Sequence, residues 1–239
     1  MTIEKGNNVE IKQKVQIGNN VRIGNNVTIY EGTIIGDNVI IMDNVVIGKK
    51  PTKAKASILP EKKEMPPCQI GNSVTIGTSS IIYTDSHIEN DVFIADLATV
   101  RERVFIGSYT IIGRGVSIEN DCSVGKRCKI ETNSYITAYS ILEDFVFIAP
   151  YVVSTNDNYM ARSKERYGKF KGITVKKGGR IGANSTILPG KIIHEDGAVA
   201  AGSLVTKDVE KETFVKGSPA KKFRKVSENQ LLKNQEFNK

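Results

Sequence analysis

The 239-residue sequence has few of the residues that bind metals or form disulfides: three cysteines and two histidines. Cys68, Cys122 and Cys128 form neither a CxxC pair nor a zinc-binding spacing, which argues against a disulfide framework or a structural metal. Instead, we expect Cys122 and Cys128 to be small core residues in a protein of a reducing compartment. His87 and His194 are too few for a three-histidine catalytic zinc site.

The sequence also lacks long apolar runs. Its N-terminal residues, MTIEKGNNVEIKQ, contain no secretory hydrophobic segment, and no stretch approaches the roughly 20 apolar residues of a membrane span. We therefore expect a cytoplasmic protein without membrane insertion. The formal net charge of +8 favours anionic partners. Nucleic acid is not expected among them, because the sequence has no RNA-binding aromatic motif, helix-turn-helix pattern or zinc finger.

The sequence contains instead a strong six-residue period. An aliphatic residue recurs at every sixth position through residues 17–47, 70–148 and 175–205. A smaller residue, such as Val21 or Thr110, lies two positions before each of them. The pair brackets one outward residue, which predicts a three-residue strand. The other three positions are rich in Gly, Asn and Asp, which tolerate positive φ and therefore predict a corner.

Three strands and three corners make a triangular coil of about 18 residues, and stacked coils would pair as parallel strands about 4.8 Å apart. The period predicts an all-β prism with an aliphatic interior, but it does not decide the handedness of the coil. We expect a β-helix domain over residues 1–210, with external loops at 49–69 and 154–174. The extension 211–239 should contain a short helix at SENQLLKNQ, N-capped by Ser227, that packs across the open end of the prism.

The C-terminal third resembles the hexapeptide-repeat acyltransferase superfamily in three segments: VKKGGRIGANSTILPGKII, AVAAGSLVTKDV and VKGSPAKKFRKV. The resemblance implies a left-handed parallel β-helix, a homotrimer with its sites between neighbours, and acetyl-CoA as co-substrate with no metal. It also implies that the pantetheine arm of the coenzyme lies along small corner residues and that basic side chains neutralise the coenzyme phosphates. The implied coenzyme-binding residues are Lys176, Gly182, Ala183, Asn184, Ala201, Gly202, Lys207, Lys222 and Arg224.

The middle of the chain resembles N-acetyltransferases that modify nucleotide-linked 3-amino sugars. The matching segments are VRER (100–103), KIETN (129–133), LEDFVFIAP (142–150), STNDNYMARS (154–163) and TVKKGG (174–179). The family carries VREG, KIQNN, LEDxVFxGP, FTNDxYPRS and TLVKKGA in the same order. The segment ADLAT before VRER has no histidine, and Met160-Ala161 replaces the proline of the family motif. The resemblance implies a UDP- or dTDP-linked amino sugar as acceptor, used in surface polysaccharide synthesis.

Acyl transfer to an amine needs a neutral nucleophile, a positioned thioester and an acceptor for the released proton. The resembling enzymes manage without a histidine base, and the departing thiolate is basic enough to accept the proton. On this resemblance Asn133 and Asp157, with Asn156 nearby, orient the amino group. The residues expected to bind the nucleotide sugar are Arg101, Glu102, Tyr159, Arg162, Lys164 and Arg166.

Two other functions stay open at this point. An O-acetyltransferase acting on a sugar hydroxyl would need a general base, for which His87 or His194 would have to serve. A non-catalytic β-helix scaffold would need no chemistry at all. In that case the corner glycines would be ordinary turn residues, Asn133 a residue chosen for its positive φ, and the basic side chains solvated surface charges.

Overall fold

The computed structural model describes residues 3–58 and 64–236 of the chain. Nearly all of its regular structure is short β-strand, arranged as three parallel sheets of 12, 10 and 9 strands. The sheets form the three sides of a β-helix of about twelve turns, which confirms the predicted fold class and is consistent with left-handed coiling. Helical structure in the described residues is limited to three 3₁₀ helices: Lys164–Arg166, Glu228–Gln230 and Leu232–Asn234.

The strands are numbered in chain order; β1 to β29 fall in turn on sheets A, B and C, and β30 and β31 both extend sheet A. Sheet A contains β1 (Ile3–Lys5), β4 (Val21–Ile23), β7 (Ile40–Ile41), β10 (Thr75–Ile76), β13 (Phe93–Ile94), β16 (Ile111–Ile112), β19 (Lys129–Ile130), β22 (Phe147–Ile148), β25 (Arg180–Ile181), β28 (Ala198–Val199), β30 (Thr213–Lys216) and β31 (Lys221–Lys225). Sheet B contains β2 (Glu10–Ile11), β5 (Thr28–Ile29), β8 (Val46–Lys49), β11 (Ile81–Tyr83), β14 (Thr99–Val100), β17 (Ser117–Ile118), β20 (Tyr135–Ile136), β23 (Val153–Ser154), β26 (Thr186–Ile187) and β29 (Leu204–Val205). Sheet C contains β3 (Gln16–Ile17), β6 (Ile34–Ile35), β9 (Gln69–Ile70), β12 (His87–Ile88), β15 (Phe105–Ile106), β18 (Ser123–Val124), β21 (Ile141–Leu142), β24 (Thr174–Val175) and β27 (Ile192–Ile193).

The sixth-position aliphatic residues form the core, as the period predicts. Ile94 pairs in register with Ile76 of the preceding coil and with Ile112 of the following one, and all three are fully buried. Burying each such side chain contributes roughly 1.5–3 kcal/mol, so a long column of isoleucine holds the prism together. Cys122 and Cys128 lie in this core, as predicted.

The predicted corners have the backbone conformation that their composition indicates. Asn20, Asn26 and Asn38 each end a corner with φ between 55° and 58°. The side-chain amide of Asn8 donates to Oδ1 of Asn26 at 3.0 Å, one coil away. Asparagine tolerates this left-handed conformation and also bonds to the coil stacked on it, so these corners stabilise both the turn and the stack.

Each edge of the prism is a column of corners between two sheets. The A–B, B–C and C–A edges are named here by the sheets they join, in the order in which the chain crosses them. Both external loops leave the prism at the B–C edge, the first between β8 and β9 and the second between β23 and β24. Five coils separate them, which is about 24 Å at the usual strand spacing. Residues 59–63 of the first loop lie outside the described residues.

The C-terminal segment differs from its prediction. SENQLLKNQ forms two separate 3₁₀ helices, and the Ser227 side chain makes no capping hydrogen bond. The segment packs on the side of the prism, where Val226 and Leu231 form an apolar cluster with Ala198 of sheet A. The end of sheet A is already covered, because β31 pairs antiparallel with β30. The apolar residues that follow therefore find their contacts along the side of the sheet; the domain boundary at residue 210 stays a prediction.

Candidate functional site

The small corner residues implied to bind the coenzyme lie together on the A–B edge. The backbone N–H of Gly202 donates to the carbonyl of Ala183 at 2.8 Å, so these two corners stack directly. A Cβ at Gly182 would lie 2.5 Å from the backbone nitrogen of Ala201, so this corner admits no larger residue. On the outer side, a Cβ at Gly202 would meet nothing within 4 Å. Two close-packed corners thus present a smooth, open surface along the edge.

Asn133 lies on the same edge, three coils before Gly202. The column is continuous, because Asn184 N donates to Pro150 O at 3.1 Å and Tyr151 N donates to Thr132 O at 3.0 Å. At the usual strand spacing Asn133 and Gly202 are about 14 Å apart along the edge. Asn133 has φ 58°, which is the left-handed corner conformation expected if the residue serves only to form the turn. The structure therefore brings Asn133 and the implied coenzyme corners to one edge.

Basic residues stand on the hairpin at this end of the prism. Lys222 and Arg224 lie on β31, and both are exposed. Arg224 pairs with Phe214, away from the A–B edge: its guanidinium lies 4.7 Å from the ring centre of Phe214, and its Nη1 donates to Ser227 Oγ at 3.1 Å. The turn that leads into β31 sits over sheet B, because Leu204 N donates to Gly217 O at 3.0 Å and Ala220 N donates to Leu204 O at 2.8 Å. The β30–β31 hairpin thus crosses the end of the A–B edge. Lys207, also exposed, follows β29 at the end of the neighbouring B–C edge.

Lys176 and Asn184 complete the implied coenzyme set, but they lie apart. Asn184 is an exposed corner residue of the A–B edge with φ 56°. Lys176 is on the C–A edge, where its ammonium donates to Glu143 Oε1 at 2.7 Å. That hydrogen bond lowers the pKa of Glu143. Of the nine residues implied to bind the coenzyme, Lys176 is therefore the one that the fold separates from the A–B edge most clearly.

Asp157 and Asn156 lie in the second loop, on the B–C edge. Asp157 Oδ1 accepts the backbone N–H of Tyr159 at 2.9 Å. Its other oxygen accepts the N–H of Ala161 and the Nε–H of Arg166, both at 3.0 Å. The hydrogen bond from Ala161, followed by that from Tyr159 and the charge of Arg166, lowers the pKa of Asp157. The carboxylate therefore organises the loop itself, while the carbonyl of Asn156 closes the loop base by accepting Lys171 N–H at 3.0 Å.

The loop residues implied to bind the acceptor differ in how far they are already engaged. Arg166 pairs with Asp157 and lies 5.2 Å from the ring centre of Phe170. The ring of Tyr159 faces the ammonium of Lys169 at 5.6 Å. By contrast, the exposed side chains of Arg162 and Lys164 make no hydrogen bond or ion pair with any residue that the structure describes. These two cations are open to an anionic ligand.

Arg101 and Glu102 lie on the B–C edge, three coils from the second loop. Glu102 is only 5% exposed, and Arg101 holds its carboxylate through Nε at 2.9 Å and Nη2 at 3.2 Å. The Arg101 guanidinium also lies 4.7 Å from the ring centre of Tyr83 and 3.5 Å from Glu119. Sequence analysis missed Tyr83 and Glu119, although each is one 18-residue coil from Arg101. That spacing alone would have placed all three in one column.

The two histidines lie away from both of these edges. His87 points outward from sheet C, where its ring stacks on Phe105 at 5.6 Å and bonds to Gln69 at 3.2 Å. His194 is in a corner of the C–A edge. Within residues 3–58 and 64–236, no three His, Cys, Asp or Glu side chains gather as metal ligands, and no helix is suited to cross a membrane. In a single chain, sheet B separates Asn133 from Asp157.

Comparison with known proteins gives matches to parts of the chain. The family model for the bacterial transferase hexapeptide (six repeats) matches residues 14–49 and 103–138. A segment of 47 residues is 51% identical to dTDP-3-amino-3,6-dideoxy-alpha-D-galactopyranose 3-N-acetyltransferase of Aneurinibacillus thermoaerophilus, covering 20% of this chain and 24% of that protein. A segment of 55 residues is 46% identical to 2,3,4,5-tetrahydropyridine-2,6-dicarboxylate N-acetyltransferase of Staphylococcus aureus, covering 23% of each. The matches thus span about a quarter of the length of these curated relatives.

Among solved structures, the Arabidopsis UDP-N-acetylglucosamine acyltransferase superposes with a TM-score of 0.55 at 18% identity, over 94% of this chain and 70% of that one. The Francisella novicida UDP-N-acetylglucosamine acyltransferase superposes with a TM-score of 0.51 at 15% identity, over 91% of this chain and 68% of that one. At these identities the likeness concerns the fold alone. The six-residue period, the two segments that match the family model and the shared fold agree: the chain contains bacterial transferase hexapeptide repeats and is similar in fold to hexapeptide-repeat transferases.

Proposed function

We propose that this protein transfers an acetyl group from acetyl-CoA to the amino group of a UDP- or dTDP-linked sugar in the cytoplasm, for surface polysaccharide synthesis. The observation that carries the proposal is the A–B edge, where the small corners of Ala183 and Gly202 stack next to the basic hairpin, and where Tyr151 and then Asn133 follow in the same column. A thin pantetheine arm fits along such a column. The 51% identity over 47 residues to a dTDP-amino-sugar N-acetyltransferase supports an amine as the acceptor.

The coenzyme would lie along the A–B edge with its nucleotide end toward the hairpin. Lys222 and Arg224 are exposed there, and Lys207 follows the last strand of sheet B. Lysine and arginine are the residues that bind phosphate most strongly, because their hydrogen bonds to it are charge-assisted. In this orientation the thioester end points along the corners of Gly202 and Ala183 toward Asn133.

The chemistry needs no histidine base. The neutral amine nitrogen attacks the thioester carbonyl carbon, a C–N bond forms, and the carbonyl oxygen takes the negative charge. When the tetrahedral intermediate collapses, the C–S bond breaks and the thiolate leaves. The thiolate accepts the proton that the new ammonium releases, so the products are an amide and a free thiol. Asn133 would orient the attacking amine by accepting a hydrogen bond from it.

The acceptor would be held by the second loop. Arg162 and Lys164 are exposed and unpaired among the described residues, so they suit the diphosphate of a nucleotide sugar. The ring of Tyr159 offers a face for a base or sugar. Asp157, Asn156 and Arg166 hold the loop in shape, and the buried Arg101–Glu102 pair lines the edge beside it.

The positions of these residues favour a homotrimer. In one chain the implied coenzyme corners are on the A–B edge and the acceptor loop is on the B–C edge. Three prisms packed around a parallel axis would set the loop of one chain against the A–B edge of its neighbour. Such a cleft would also supply the second wall that a flat-sided prism needs in order to enclose its substrates.

The experiment is a panel assay that follows thiol release from acetyl-CoA. The panel contains UDP- and dTDP-linked 3-amino and 4-amino sugars, with the corresponding hydroxyl sugars as matched controls. The proposal expects turnover with an amino sugar and none with its hydroxyl counterpart. Turnover of hydroxyl sugars alone would support O-acetylation instead. No turnover, together with no thermal stabilisation by CoA or acetyl-CoA, would support a non-catalytic scaffold.

A further inference from the structure

A cavity of about 450 Å³ lies on the outer face of sheet A, under the C-terminal segment. Its floor is formed by Lys129, Phe147 and Arg180, the outward residues of three successive strands that pair in register. The volume falls in the range of small-molecule sites, which is roughly 300–1,000 Å³. None of the residues that line it belongs to the coenzyme or acceptor sets proposed above.

One wall of the cavity is a column of corner residues on the C–A edge. Tyr109, Arg127, Phe145 and Asp196 each end a corner with φ between 53° and 62°. The side chains of the first three stack one coil above another, and Gly178 lies between Phe145 and Asp196. The guanidinium of Arg127 lies 4.9 Å from the ring centre of Tyr109. The opposite wall is the C-terminal segment, which contributes Asn229, Gln230, Leu232 and Gln235. The cavity thus combines aromatic and apolar surface with cationic groups.

Arg180 is the group in this cavity whose hydrogen bonds are incomplete. Its Nε and Nη2 atoms are buried, and neither has a hydrogen-bond partner among the described residues. Burial lowers the pKa of Arg180, while the charge of Asp196 partly opposes that change. Asp196 does not satisfy the guanidinium, because its Oδ1 accepts the backbone N–H of Leu232 at 2.9 Å and no ion pair joins it to Arg180 within 4.0 Å. Buried guanidinium N–H groups without acceptors are costly, so a ligand that supplies acceptor oxygens to Arg180 would gain the free energy of those hydrogen bonds.

The charged residues that line the cavity also favour an anionic ligand. Arg127, Lys129 and Arg180 contribute three cations, and Asp196 contributes one carboxylate. Nε and Nη2 of arginine lie side by side in one plane and match the two oxygens of a carboxylate or phosphate. Phe145 and Phe147 line the same cavity and would contact the remainder of such a ligand.

We propose that this cavity binds a small organic anion. The Arg180 side chain turns toward the cavity, so that its Nε and Nη2 donate hydrogen bonds to the carboxylate or phosphate of the ligand, and the flat apolar body of the ligand packs against Phe147 and Phe145. The C-terminal segment covers the bound molecule, with Asn229 and Gln230 able to bond to its polar edge. The site is independent of the acyl-transfer proposal, since it is built from other residues and needs no coenzyme.

The test is isothermal titration calorimetry of the full chain with three probes: benzoate, uridine monophosphate and inorganic phosphate. Benzoate carries the carboxylate on a flat apolar body, uridine monophosphate carries the phosphate on a base, and inorganic phosphate has no body. We expect one of the two organic anions to bind and inorganic phosphate to bind more weakly. The Arg180→Met variant should lose affinity roughly tenfold to a hundredfold, as expected when a charged hydrogen-bonding partner is removed.

Arg22→Met is the matched control, because Arg22 is likewise an outward arginine of sheet A but is exposed and lies far from the cavity, on β4. It should leave the affinity unchanged. The thermal midpoint shows whether a loss of binding comes from a loss of folding. Without ligand, the Arg180→Met variant should be no less stable than the parent chain, since the substitution removes unpaired buried groups. The proposal fails if neither organic anion binds, if both variants weaken binding equally, or if CoA competes for the same site.

Discussion

Leu232 packs into the space that Gly178 leaves in the C–A corner column. A Cβ at Gly178 would lie 3.2 Å from Cβ of Leu232 and 2.8 Å from Oδ1 of Asp196, which itself accepts the Leu232 N–H. The corner positions nearest to Gly178 in this column carry Phe145 and Asp196, and Arg127 and Tyr109 lie beyond Phe145. The missing side chain at Gly178 is therefore what lets the C-terminal segment lie against sheet A and cover the cavity.

Gly178→Ala should destabilise the protein and detach this segment. The backbone at Gly178 has φ +71°, where alanine costs about 1–2 kcal/mol, and the added methyl group also meets Leu232 and Asp196. We expect a lower thermal midpoint and faster tryptic cleavage at Lys233. Gly168→Ala is the control, because φ there is +70° but nothing lies within 4 Å. Equal cleavage at Lys233 in both variants would contradict the packing role of Gly178.

The cysteines should be unreactive in the folded protein. Burial raises the pKa of Cys68, Cys122 and Cys128 to about 12. A raised pKa means that the thiol form persists as the pH rises, so at pH 8 only about one molecule in 10⁴ would carry a given thiolate. A thiol reagent should therefore find no reactive cysteine in native protein and all three in guanidinium.

Ser227→Cys provides the positive control for the cysteine measurement, since Ser227 is exposed. Its thiol should react promptly in the native protein. The prediction is wrong if a native cysteine reacts as fast as this one. The result also matters for the thiol-release assay: if the cysteines of the protein do not react with the thiol reagent, the signal comes from the released coenzyme A.

Asp157→Asn should loosen the second loop without unfolding the prism. The variant loses the charge that accepts two backbone N–H groups and pairs with Arg166. We expect faster hydrogen exchange at the amides of Tyr159 and Ala161, and a thermal midpoint close to that of the parent. Asp91→Asn, at an exposed corner with φ 59°, is the control. Unchanged exchange in Asp157→Asn would show that the carboxylate does not order the loop.

The pH dependence of that loop follows from the lowered pKa of Asp157. Its ionised form is favoured in the folded loop, so the contribution is fully present above the ordinary Asp pKa near 4 and is lost as the pH falls through the lower folded value. Exchange at Tyr159, corrected for the intrinsic rate, should stay constant between pH 5 and pH 8. A transition between pH 5 and pH 8 would show that a group other than Asp157 orders the loop.

Asn133→Gly should lower kcat/KM by roughly 10²-fold in the proposed transfer, as seen when one oriented hydrogen-bonding group is removed from an active site. Glycine keeps the corner conformation, because φ at Asn133 is 58°. Ser73→Gly is the matched control: φ is 56°, and the residue is an exposed corner residue of the C–A edge. The two variants should have similar thermal midpoints but different activity. Equal activity of the two variants would show that Asn133 serves only to form the corner.

Removing the charges on the β30–β31 hairpin should weaken coenzyme binding specifically. We expect the double variant Lys222→Gln and Arg224→Gln to raise KM for acetyl-CoA about tenfold or more, with little change in kcat, because charge-assisted phosphate contacts are lost. The control is Lys5→Gln with Arg22→Gln at the other end of sheet A. If KM for acetyl-CoA rises equally in both double variants, the effect is one of net charge rather than of a site.

Much of the fold could be predicted from the sequence because the six residues of each repeat determine the local structure of that repeat. The side chain of Ile94 must be buried and the backbone of Asn26 must turn, whatever coil they occupy. The same local rule identified the buried cysteines. It did not place SENQLLKNQ, where no period exists and where the path depends on Ala198 and Gly178, residues distant in sequence.

The sequence suggested candidate site residues, which stay predictions, but it did not give their arrangement. The six-residue period is identical on all three sides of the prism, so it cannot tell which edge a corner occupies once two loops have interrupted the count. Only the closed coils place Asn133 on the same edge as the corners proposed to bind the coenzyme, Lys176 on another edge, and Asp157 across sheet B. Repeating local preferences thus determine the prism, whereas the positions of groups on its surface follow from the stacking of coils, which is a property of the whole chain.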